Sequence, residues 1–451
     1  MLQRLIFLLI ALATATAGRQ AANFNITSAQ AEEYGCGHTC QIILNATIPF
    51  DRATVGEAFD FDFYNTANNF SSSSPGDVLK FKPINATTRN FRAGTTAYKF
   101  QYTSIDNQGS HVPVTGFIAF PYSSGGHGGS DQTVFPLVAF AHGTIGAFYG
   151  CAPSNGPNMF DYDTWQTIVS RGYAVVATDY AGLGNNYTPH MYLDFRSHAA
   201  DIYYSVIAAR KLFGHLLSQE WLSVGHSQGG GAVWKLAESE FVRHDAKYLG
   251  TVAMAPATYP VSMMLDNINH IEFPGYLPYL KLAAERAIPG FVGTMLSPIM
   301  RKRVEMAERF QLCASSLAGL TLDLGRKDLI NSTGVAHDAP ILLDWEARVA
   351  PASGGRSKGP ILVVQGANDT SVLPPTTEKA WKKSCRDGNE VHIRLYMGVE
   401  HTPITAVAQV DWMTWINGRF SGDDSGHKQC TRKIIAPFDA KWANLPPEFS
   451  L

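Results

Sequence analysis

A serine stands between two glycines where an apolar run gives way to a helix-forming segment. Residues 225–229 read Gly-His-Ser-Gln-Gly, and they follow the apolar run 221–224 and precede a helical pattern over 230–242. A strand, a Gly-x-Ser-x-Gly turn and a helix together describe a nucleophile elbow. The glycines permit a turn so sharp that the serine hydroxyl is exposed at its tip. The sequence therefore predicts Ser227 as a nucleophile.

A serine hydroxyl attacks efficiently only when an imidazole takes its proton and a carboxylate holds that imidazole in the right tautomer. In chains with this elbow the order is Ser, Asp or Glu, then His, and the acid follows a later strand. The apolar run 361–365 leads directly to Asp369, and the alternating run 391–397 leads to His401. We predict that Ser227, Asp369 and His401 form a catalytic triad.

Other acids and histidines compete for these two roles. Asp344 and Asp387 lie in helix-like surroundings rather than after a strand. His392 lies within an alternating strand and His427 in a polar tail, so we interpret both as surface residues. His226, inside the elbow, is expected to point away from the pocket because the serine points into it. We interpret His226 as a packing residue.

Backbone N–H groups are the usual donors to the oxyanion that forms when a serine attacks a carbonyl. The elbow places Gln228 at a helix N-terminus, where its N–H can face such a charge. The strand 135–141 ends in His-Gly-Thr-Ile-Gly at 142–146, and the glycine lets the chain approach the substrate closely. We predict the N–H groups of Gln228 and Thr144 as the oxyanion donors. The alternative is a glycine-rich turn without function.

Short apolar strands alternate with helical patterns, which predicts a mostly parallel sheet with helices on both faces. The predicted strands span 135–141, 174–178, 221–224, 249–254, 361–365 and 392–397. Before them, two β-rich runs at 95–104 and 112–122 are joined by Asp-Asn-Gln-Gly, which predicts a hairpin. Apolar positions at three- and four-residue steps predict a helix over 198–213.

The strand–helix rhythm stops between residues 255 and 357, where prolines and glycines punctuate apolar helices. Long insertions of this kind tend to be functional, so we predict a helical cap over the substrate pocket. Packing that only extends the core is the alternative. The predicted organisation is an N-terminal extension at 18–94, a core at 95–254 and 358–451, and the cap between the two parts of the core.

The bulk composition excludes disorder and gives no support to nucleic-acid binding. Of 451 residues, 45% are hydrophobic and 16% charged, and the formal net charge is −2. This composition is enough for a substantial core, and no basic face is evident. No Cys-x-x-Cys pair and no histidine pair at helical ligand spacing occurs, so no metal is predicted, and no organic cofactor is implied.

The N-terminus predicts secretion. Arg4 supplies a positive charge, residues 5–13 are apolar, and Ala-Thr-Ala at 15–17 is a small-residue cleavage site, so residues 1–17 read as a signal peptide. A retained membrane anchor is the alternative, but the apolar run is shorter than the ~18 residues that a span requires.

Asn-x-Ser/Thr sequons are frequent in the sequence, as in glycosylated secreted proteins. Predicted glycosylation sites are Asn25, Asn45, Asn69, Asn85, Asn186 and Asn331. A further sequon begins at Asn368, which we expect to stay unmodified because it adjoins Asp369. The even number of cysteines, six, also suits an oxidising compartment.

Several motifs together resemble the secretory lipase family of α/β-hydrolases, which includes lipase A-type enzymes. They are His-Gly-Thr at 142–144, Cys-Ala-Pro-Ser at 151–154, the string 177–184 (Ala-Thr-Asp-Tyr-Ala-Gly-Leu-Gly), the elbow, 366–369 and His401. The resemblance covers most of the chain from about Thr95. It implies an α/β-hydrolase fold with an inserted cap and the Ser227–Asp369–His401 triad. It also favours the disulfides Cys151–Cys313 and Cys385–Cys430, and proximity in sequence suggests Cys36–Cys40.

The resemblance implies a secreted serine carboxylic-ester hydrolase that acts on lipid or acetylated small-molecule esters. It also implies transient contact between the cap and a lipid interface. The N-terminal extension and the Phe-Asp-Phe-Asp-Phe-Tyr string at 59–64 are more similar to a filamentous-fungal branch that includes trichothecene esterases. A deacetylating esterase of a fungal secondary metabolite is therefore one alternative. A non-catalytic binding protein of this fold, or peptide-bond cleavage or perhydrolysis on the same scaffold, are the others.

Overall fold

The computed structural model describes residues 19–22, 24–124, 134–268, 274–422 and 429–447. The predicted signal peptide, residues 1–17, and His427 lie outside the described residues.

Ten strands in the described part of the chain form one sheet. They are β1 (Val78–Pro83), β2 (Thr96–Ile105), β3 (His111–Phe120), β4 (Phe135–Ala141), β5 (Ala174–Thr178), β6 (Leu217–His226), β7 (Tyr248–Met254), β8 (Ile361–Gly366), β9 (Val391–Tyr396) and β10 (Thr431–Ile435). Their order is β1-β2-β3-β5-β4-β6-β7-β8-β9-β10. The sheet is antiparallel from β1 to β5 and parallel from β5 to β10. The predicted class, a mostly parallel α/β sheet, is confirmed.

Helices cover both faces of this sheet. They are α1 (Ser28–Glu33), α2 (His38–Val55), α3 (Phe61–Tyr64), α4 (Trp165–Val169), α5 (Phe195–Phe213), α6 (Gln228–Ala237), α7 (Glu240–Arg243), α8 (Pro260–Asp266), α9 (Leu277–Ala287), α10 (Pro298–Phe310), α11 (Ala314–Gly319), α12 (Arg326–Leu329), α13 (Ser332–Val349), α14 (Pro374–Arg386), α15 (Ile404–Val407) and α16 (Gln409–Phe420). Along β4, Leu137 packs with α5 and α6 on one face, whereas Val138 packs with α4 and α16 on the other. This alternation is expected because successive strand residues point to opposite faces.

The parallel strands match their sequence predictions to within a few residues, and the predicted hairpin is the β2–β3 pair. The two outermost strands are different. β1 contains two lysines and a proline, and β10 is largely exposed, so neither shows the apolar alternation of a buried strand. The helical pattern over 230–242 is also interrupted, because α6 ends at Ala237 and α7 begins at Glu240.

The predicted cap segment, 255–357, contains α8 to α13 and, among its described residues, no strand. Buried carboxylates tie its parts together. Glu346 of α13 accepts hydrogen bonds from the N–H groups of Val261 and Ser262 at the start of α8. Asp338 accepts the N–H groups of Thr294 and Met295. The helix-like surroundings expected at Asp344 belong to α13, but the sequence does not predict the full length of this helix, because Gly334 and Pro340 interrupt its helical pattern.

Disulfides join Cys36 to Cys40, Cys151 to Cys313, and Cys385 to Cys430. These are the three predicted pairs. The second bond connects the loop after β4 to the residue that precedes α11, across 162 positions of the sequence. It therefore ties the cap segment to the first part of the core.

The asparagines of the predicted glycosylation sites are all exposed. Asn368 is exposed as well, so its position beside Asp369 is the reason to expect it to stay unmodified. In the described part of the chain, no helix is both long and apolar enough to cross a membrane.

Candidate active site

The serine of the elbow adopts a strained backbone conformation. Ser227 has φ 57° and ψ −118°, at the junction of β6 and α6. A Cβ atom on Gly225 would lie 2.2 Å from the carbonyl oxygen of Gly229, and one on Gly229 would lie 1.9 Å from that of Ala141. Both flanking glycines are therefore required by lack of space. Strain of this kind at a non-glycine residue is typical of functional sites.

The structure brings Ser227, Asp369 and His401 together although 174 positions separate the serine from the histidine. His401 Nε2 lies 2.8 Å from Ser227 Oγ, and His401 Nδ1 lies 2.7 Å from Asp369 Oδ2. All three residues are buried, with exposures of 6%, 2% and 3% in the order Ser227, Asp369, His401. An ionised carboxylate can only accept, so Nδ1 carries the ring proton and Nε2 is left to accept the serine proton.

Asp369 is held rigidly at the end of β8. Its Oδ1 accepts the N–H groups of Ser371 and Val372 at 2.9 and 2.7 Å. Its Oδ2 accepts Gln365 Nε2 at 2.8 Å besides the histidine. These bonds fix the orientation of the carboxylate.

The alternative acids and bases lie elsewhere. Asp344 forms an ion pair with Arg348 on the exposed face of α13, and Asp387 follows the last residue of α14. His392 Nδ1 lies 2.9 Å from Thr431 Oγ1 of β10. His392 was expected to be a surface residue. It is half-buried instead, because β10 covers that side of β9.

The predicted oxyanion donors lie on either side of the serine. Gln228 is the first residue of α6, and Thr144 follows the end of β4. Within the described part of the chain, neither backbone N–H has a hydrogen-bond partner, so both are available to a ligand. The N–H of Gly143, by contrast, already donates to Tyr162 Oη at 3.0 Å. Of the N–H groups of Gly143 and Thr144, only that of Thr144 is therefore left without a partner among the described residues.

The expectation that His226 points away from the pocket is wrong. His226 Nε2 lies 3.1 Å from the carbonyl oxygen of His401, and its Nδ1 lies 3.2 Å from Tyr162 Oη. Burial lowers the pKa of His226 well below its usual range, so the ring is neutral. The elbow is a turn and not a strand, so strand alternation does not decide which way its second residue points.

These contacts fix the direction of the hydrogen bonds that join His226 to Tyr162 and to the carbonyl of His401. A carbonyl oxygen only accepts, so the Nε2 of this neutral ring must carry its single N–H and donate to His401. Its Nδ1 then accepts the Tyr162 hydroxyl proton, and the Tyr162 oxygen accepts the N–H of Gly143. The loop of Gly143 and Thr144 and the loop that carries His401 are thus joined by one directed network beside Ser227.

Neutral buried histidines also support the oxyanion side of the elbow. Burial lowers the pKa of His142 to about 4 and that of His190 to about 3. His190 Nδ1 donates to the carbonyl of Ala181 at 3.0 Å, so its Nε2 accepts the side-chain amide of Gln228 at 3.1 Å. Among the described residues, no group of three or more His, Cys, Asp or Glu could hold a metal ion.

Two chambers meet at Ser227. The first has a volume of about 1070 Å³, counting its open mouth, and is mainly apolar. Its cap-side wall includes Met263, Met264, Leu277 and Leu280. The second has a volume of about 860 Å³, again with its mouth, and is lined by aromatic and polar groups. Thr144, Tyr162, His226 and His401 line the second chamber and not the first.

A family model of the alpha/beta hydrolase fold matches residues 136–395, which is more than half of the chain. The chain belongs to the α/β hydrolase fold family. The predicted α/β-hydrolase fold is thereby confirmed. No curated protein sequence matches the chain significantly.

Solved structures similar to this α/β hydrolase include lipase A of Candida antarctica in its closed state, with 16% sequence identity and a TM-score of 0.61. The match covers 80% of this chain and 86% of the lipase chain. The rice cell wall degrading esterase LipA of Xanthomonas oryzae has 19% identity, with 75% and 95% covered and a TM-score of 0.59. A putative hydrolase of Legionella pneumophila has 16% identity, with 75% and 97% covered and a TM-score of 0.59. At these identities the likeness concerns the fold.

Two motifs that carried the family resemblance meet in the core of this α/β hydrolase. Asp179 accepts the N–H of Ser154 at 2.8 Å and the hydroxyl of Thr115 at 2.7 Å. Burial raises the pKa of Asp179, and the Ser154 hydroxyl donates to the same carboxylate. This bonding fixes Ser154, three residues after Cys151, against the end of β5. The two motifs therefore hold each other in place within the core.

Tyr162 and Gln365 contact site residues without having been predicted. Gln365 lies at the end of the apolar run of β8. A polar amide at such a buried position is the one sequence signal that the side chain forms a specific hydrogen bond. Tyr162 lies in an irregular segment, where neither periodicity nor a motif singles it out.

Proposed function

We propose that this chain is a secreted serine carboxylic-ester hydrolase acting on lipid or acetylated small-molecule esters. The observation that carries the proposal is the continuous hydrogen-bonded contact from Asp369 through His401 to Ser227. This arrangement matches the geometry in which an imidazole activates a serine and a carboxylate supports the imidazolium. Its position beside two unpaired backbone N–H groups supports acyl transfer as the reaction class.

The residues act in a defined order in this proposal. Ser227 Oγ attacks the ester carbonyl as His401 Nε2 takes its proton, and Asp369 stabilises the imidazolium. The N–H groups of Thr144 and Gln228 hold the oxyanion of the tetrahedral intermediate. His401 then gives the proton to the leaving alcohol, and water releases the acyl group through the same steps in reverse.

The two chambers receive the two parts of the ester. His401 must reach the leaving oxygen to protonate it, and His401 lines the second chamber only. The alcohol part therefore occupies the second chamber and the acyl part the first. The methionine and leucine wall of the first chamber suits an acyl chain, since burial of each CH₂ contributes about 0.8 kcal/mol.

Covalent labelling tests the reaction class. A fluorophosphonate probe should modify Ser227, and p-nitrophenyl esters should be hydrolysed while amino-acid amides and peracid formation give little or no turnover. A protein that binds esters without labelling would instead be the non-catalytic alternative. Amide cleavage at a comparable rate would support the peptidase alternative.

Acyl-chain length tests the assignment of the first chamber. Met264 is half-buried on the cap side of this chamber, so Met264→Trp should obstruct it. We expect hydrolysis of an octanoyl ester to fall about tenfold, a typical value for a misfit in an apolar pocket. Hydrolysis of the acetyl ester of the same alcohol should change much less. Kinetics on a series from acetate to palmitate measure both effects.

The same series separates the lipase and deacetylase alternatives. A wild-type optimum at acetate, with little activity on longer chains, would favour the deacetylating esterase. Equal losses on acetyl and octanoyl esters in Met264→Trp would contradict placement of the acyl chain in the first chamber. Val410→Trp, at a residue that is 80% exposed, is the control for adding an indole ring.

The directed network around His226 makes Tyr162 a positioning residue. Tyr162→Phe should lower kcat about tenfold, because the variant leaves the Gly143 N–H and His226 Nδ1 unpaired and releases the oxyanion loop. The KM for a small ester should change little. Tyr122→Phe, at a side chain that is 92% exposed, is the matched control. Wild-type kcat in Tyr162→Phe would show that the network has no part in turnover.

Secretion rests on the signal-like N-terminus, the exposed sequons and the disulfides. The disulfides favour an oxidising compartment. Expression in a eukaryotic host, with glycosidase treatment of the medium and of the cells, tests this part of the proposal. Protein retained in the cytosol without a glycosidase-dependent mass change would contradict it.

A further inference from the structure

Tyr279 carries a buried hydroxyl without a partner. This residue lies on α9, is 1% exposed, and lines the second chamber. Within the described part of the chain, its hydroxyl forms no hydrogen bond. Other buried polar atoms lack partners too, but of the described residues that line either chamber, Tyr279 alone has such an atom.

A buried polar group without a partner destabilises a fold, so its position needs a reason. Two neighbouring tyrosines at the chambers are bonded. Tyr192 Oη lies 2.8 Å from Thr144 Oγ1, and Tyr162 accepts the N–H of Gly143. Burial raises the pKa of Tyr279 well above its usual range, so the phenol keeps its proton. Tyr279 is therefore an unpaired donor on a residue that lines the chamber.

The second chamber also has the shape and surface for a ring. Phe160 and Tyr276 present aromatic side chains to it, whereas Gly275, Ala314 and Ala318 leave space. Flat or cyclic groups pack well against aromatic faces. The methionine and leucine surface of the first chamber favours a long acyl chain. A hydrogen-bond donor among aromatic rings instead favours a ligand that carries an oxygen acceptor.

We propose that Tyr279 determines specificity by donating a hydrogen bond to an oxygen atom on the alcohol part of the ester, and that this alcohol is cyclic and oxygenated. The proposal rests on the proposed function, because that function places the alcohol in the second chamber. An ester whose alcohol lacks the acceptor leaves the phenol unpaired in the complex. Sites built to form a hydrogen bond discriminate against such analogues.

Two esters of one acid, matched in shape, test the proposal. Tetrahydropyran-4-yl acetate carries a ring oxygen where cyclohexyl acetate has a CH₂ group. We expect wild-type kcat/KM to favour the ether ester about tenfold, a preference that Tyr279→Phe should abolish. Loss of the preference should come from slower cleavage of the ether ester, since the substitution preserves the aromatic ring and removes only the donor.

Stability measurements separate a specificity role from a structural one. Tyr279→Phe removes an unpaired hydroxyl, so its Tm should equal or exceed that of the wild type. Tyr259→Phe is the control, because the buried Tyr259 hydroxyl donates to the carbonyl of Ala352 at 2.6 Å and lines neither chamber. We expect this control to have a lower Tm and an unchanged ratio between the two esters.

The outcomes distinguish the two levels of inference. Wild-type enzyme that cleaves both esters equally, or a Tyr279→Phe variant that keeps the preference, would overturn the role of Tyr279 and leave the esterase proposal standing. Failure of the wild type to cleave either these esters or p-nitrophenyl esters would contradict the proposed function itself. A lowered Tm in Tyr279→Phe with an unchanged ratio would show a structural role only.

Discussion

Ser227→Ala should lower kcat for ester hydrolysis by about 10⁴-fold or more, as loss of the nucleophile does in other triads. The substitution removes the atom that attacks the carbonyl, and water cannot take its place at the same position between His401 and the oxyanion donors. The fold should survive. The serine hydroxyl bonds to His401 Nε2, whereas the bonds that hold the elbow are made by the backbone, including Ser227 N–H to Met254 at 2.9 Å.

Steady-state rates on p-nitrophenyl esters, with fluorophosphonate labelling and thermal unfolding in parallel, measure this effect. Ser110→Ala, in the exposed turn between β2 and β3, is the matched control and should behave as wild type. A folded Ser227→Ala variant that turns over at near-normal rate would rule out Ser227 as the nucleophile. It would also remove the basis for assigning the two chambers.

Asp369→Asn should lower kcat by about 10⁴-fold, even though the side chains are almost the same size. Both carboxylate oxygens accept bonds in the native structure. Oδ2 accepts His401 Nδ1–H and Gln365 Nε2, and Oδ1 accepts two backbone N–H groups. The amide NH₂ of asparagine must face one of these sets of donors, whichever way it is oriented. His401 is then driven to the tautomer with its proton on Nε2, which cannot accept the serine proton.

The control for this charge change is Asp344→Asn on the exposed face of α13, where a surface ion pair contributes little. Comparison of kcat and of fluorophosphonate labelling rate in the two variants is decisive. If the kcat of Asp369→Asn fell by less than about tenfold, another group would have to orient His401, contrary to the bonding described above.

The sequence predicted the parts of the site that depend on parallel-strand geometry. Asp369 and His401 each follow a strand, and the carboxyl ends of parallel strands meet at one edge of a sheet. The elbow was recognisable because its two flanking positions have no room for a Cβ atom and must therefore be glycine. Pattern and chain order were therefore enough to select three residues whose side chains the fold brings into contact.

Other features depend on contacts that no local pattern encodes. β10 is recognisable only once β9 offers an edge to pair with, and its exposed residues carry no alternation. The orientation of His226 follows from Tyr162 and from the carbonyl of His401, which are far away in sequence. Tyr279 resembles any other apolar position of an amphipathic helix, and its unpaired hydroxyl is visible only in three dimensions.

The Cys151–Cys313 bond has a consequence for how substrate enters. It holds the loop after β4 and the start of α11 at a Cα–Cα distance of 5.6 Å, and Ala314 of α11 is part of the second chamber. A substrate therefore enters the second chamber past a wall that the disulfide keeps beside the loop after β4 in every conformation of the oxidised protein.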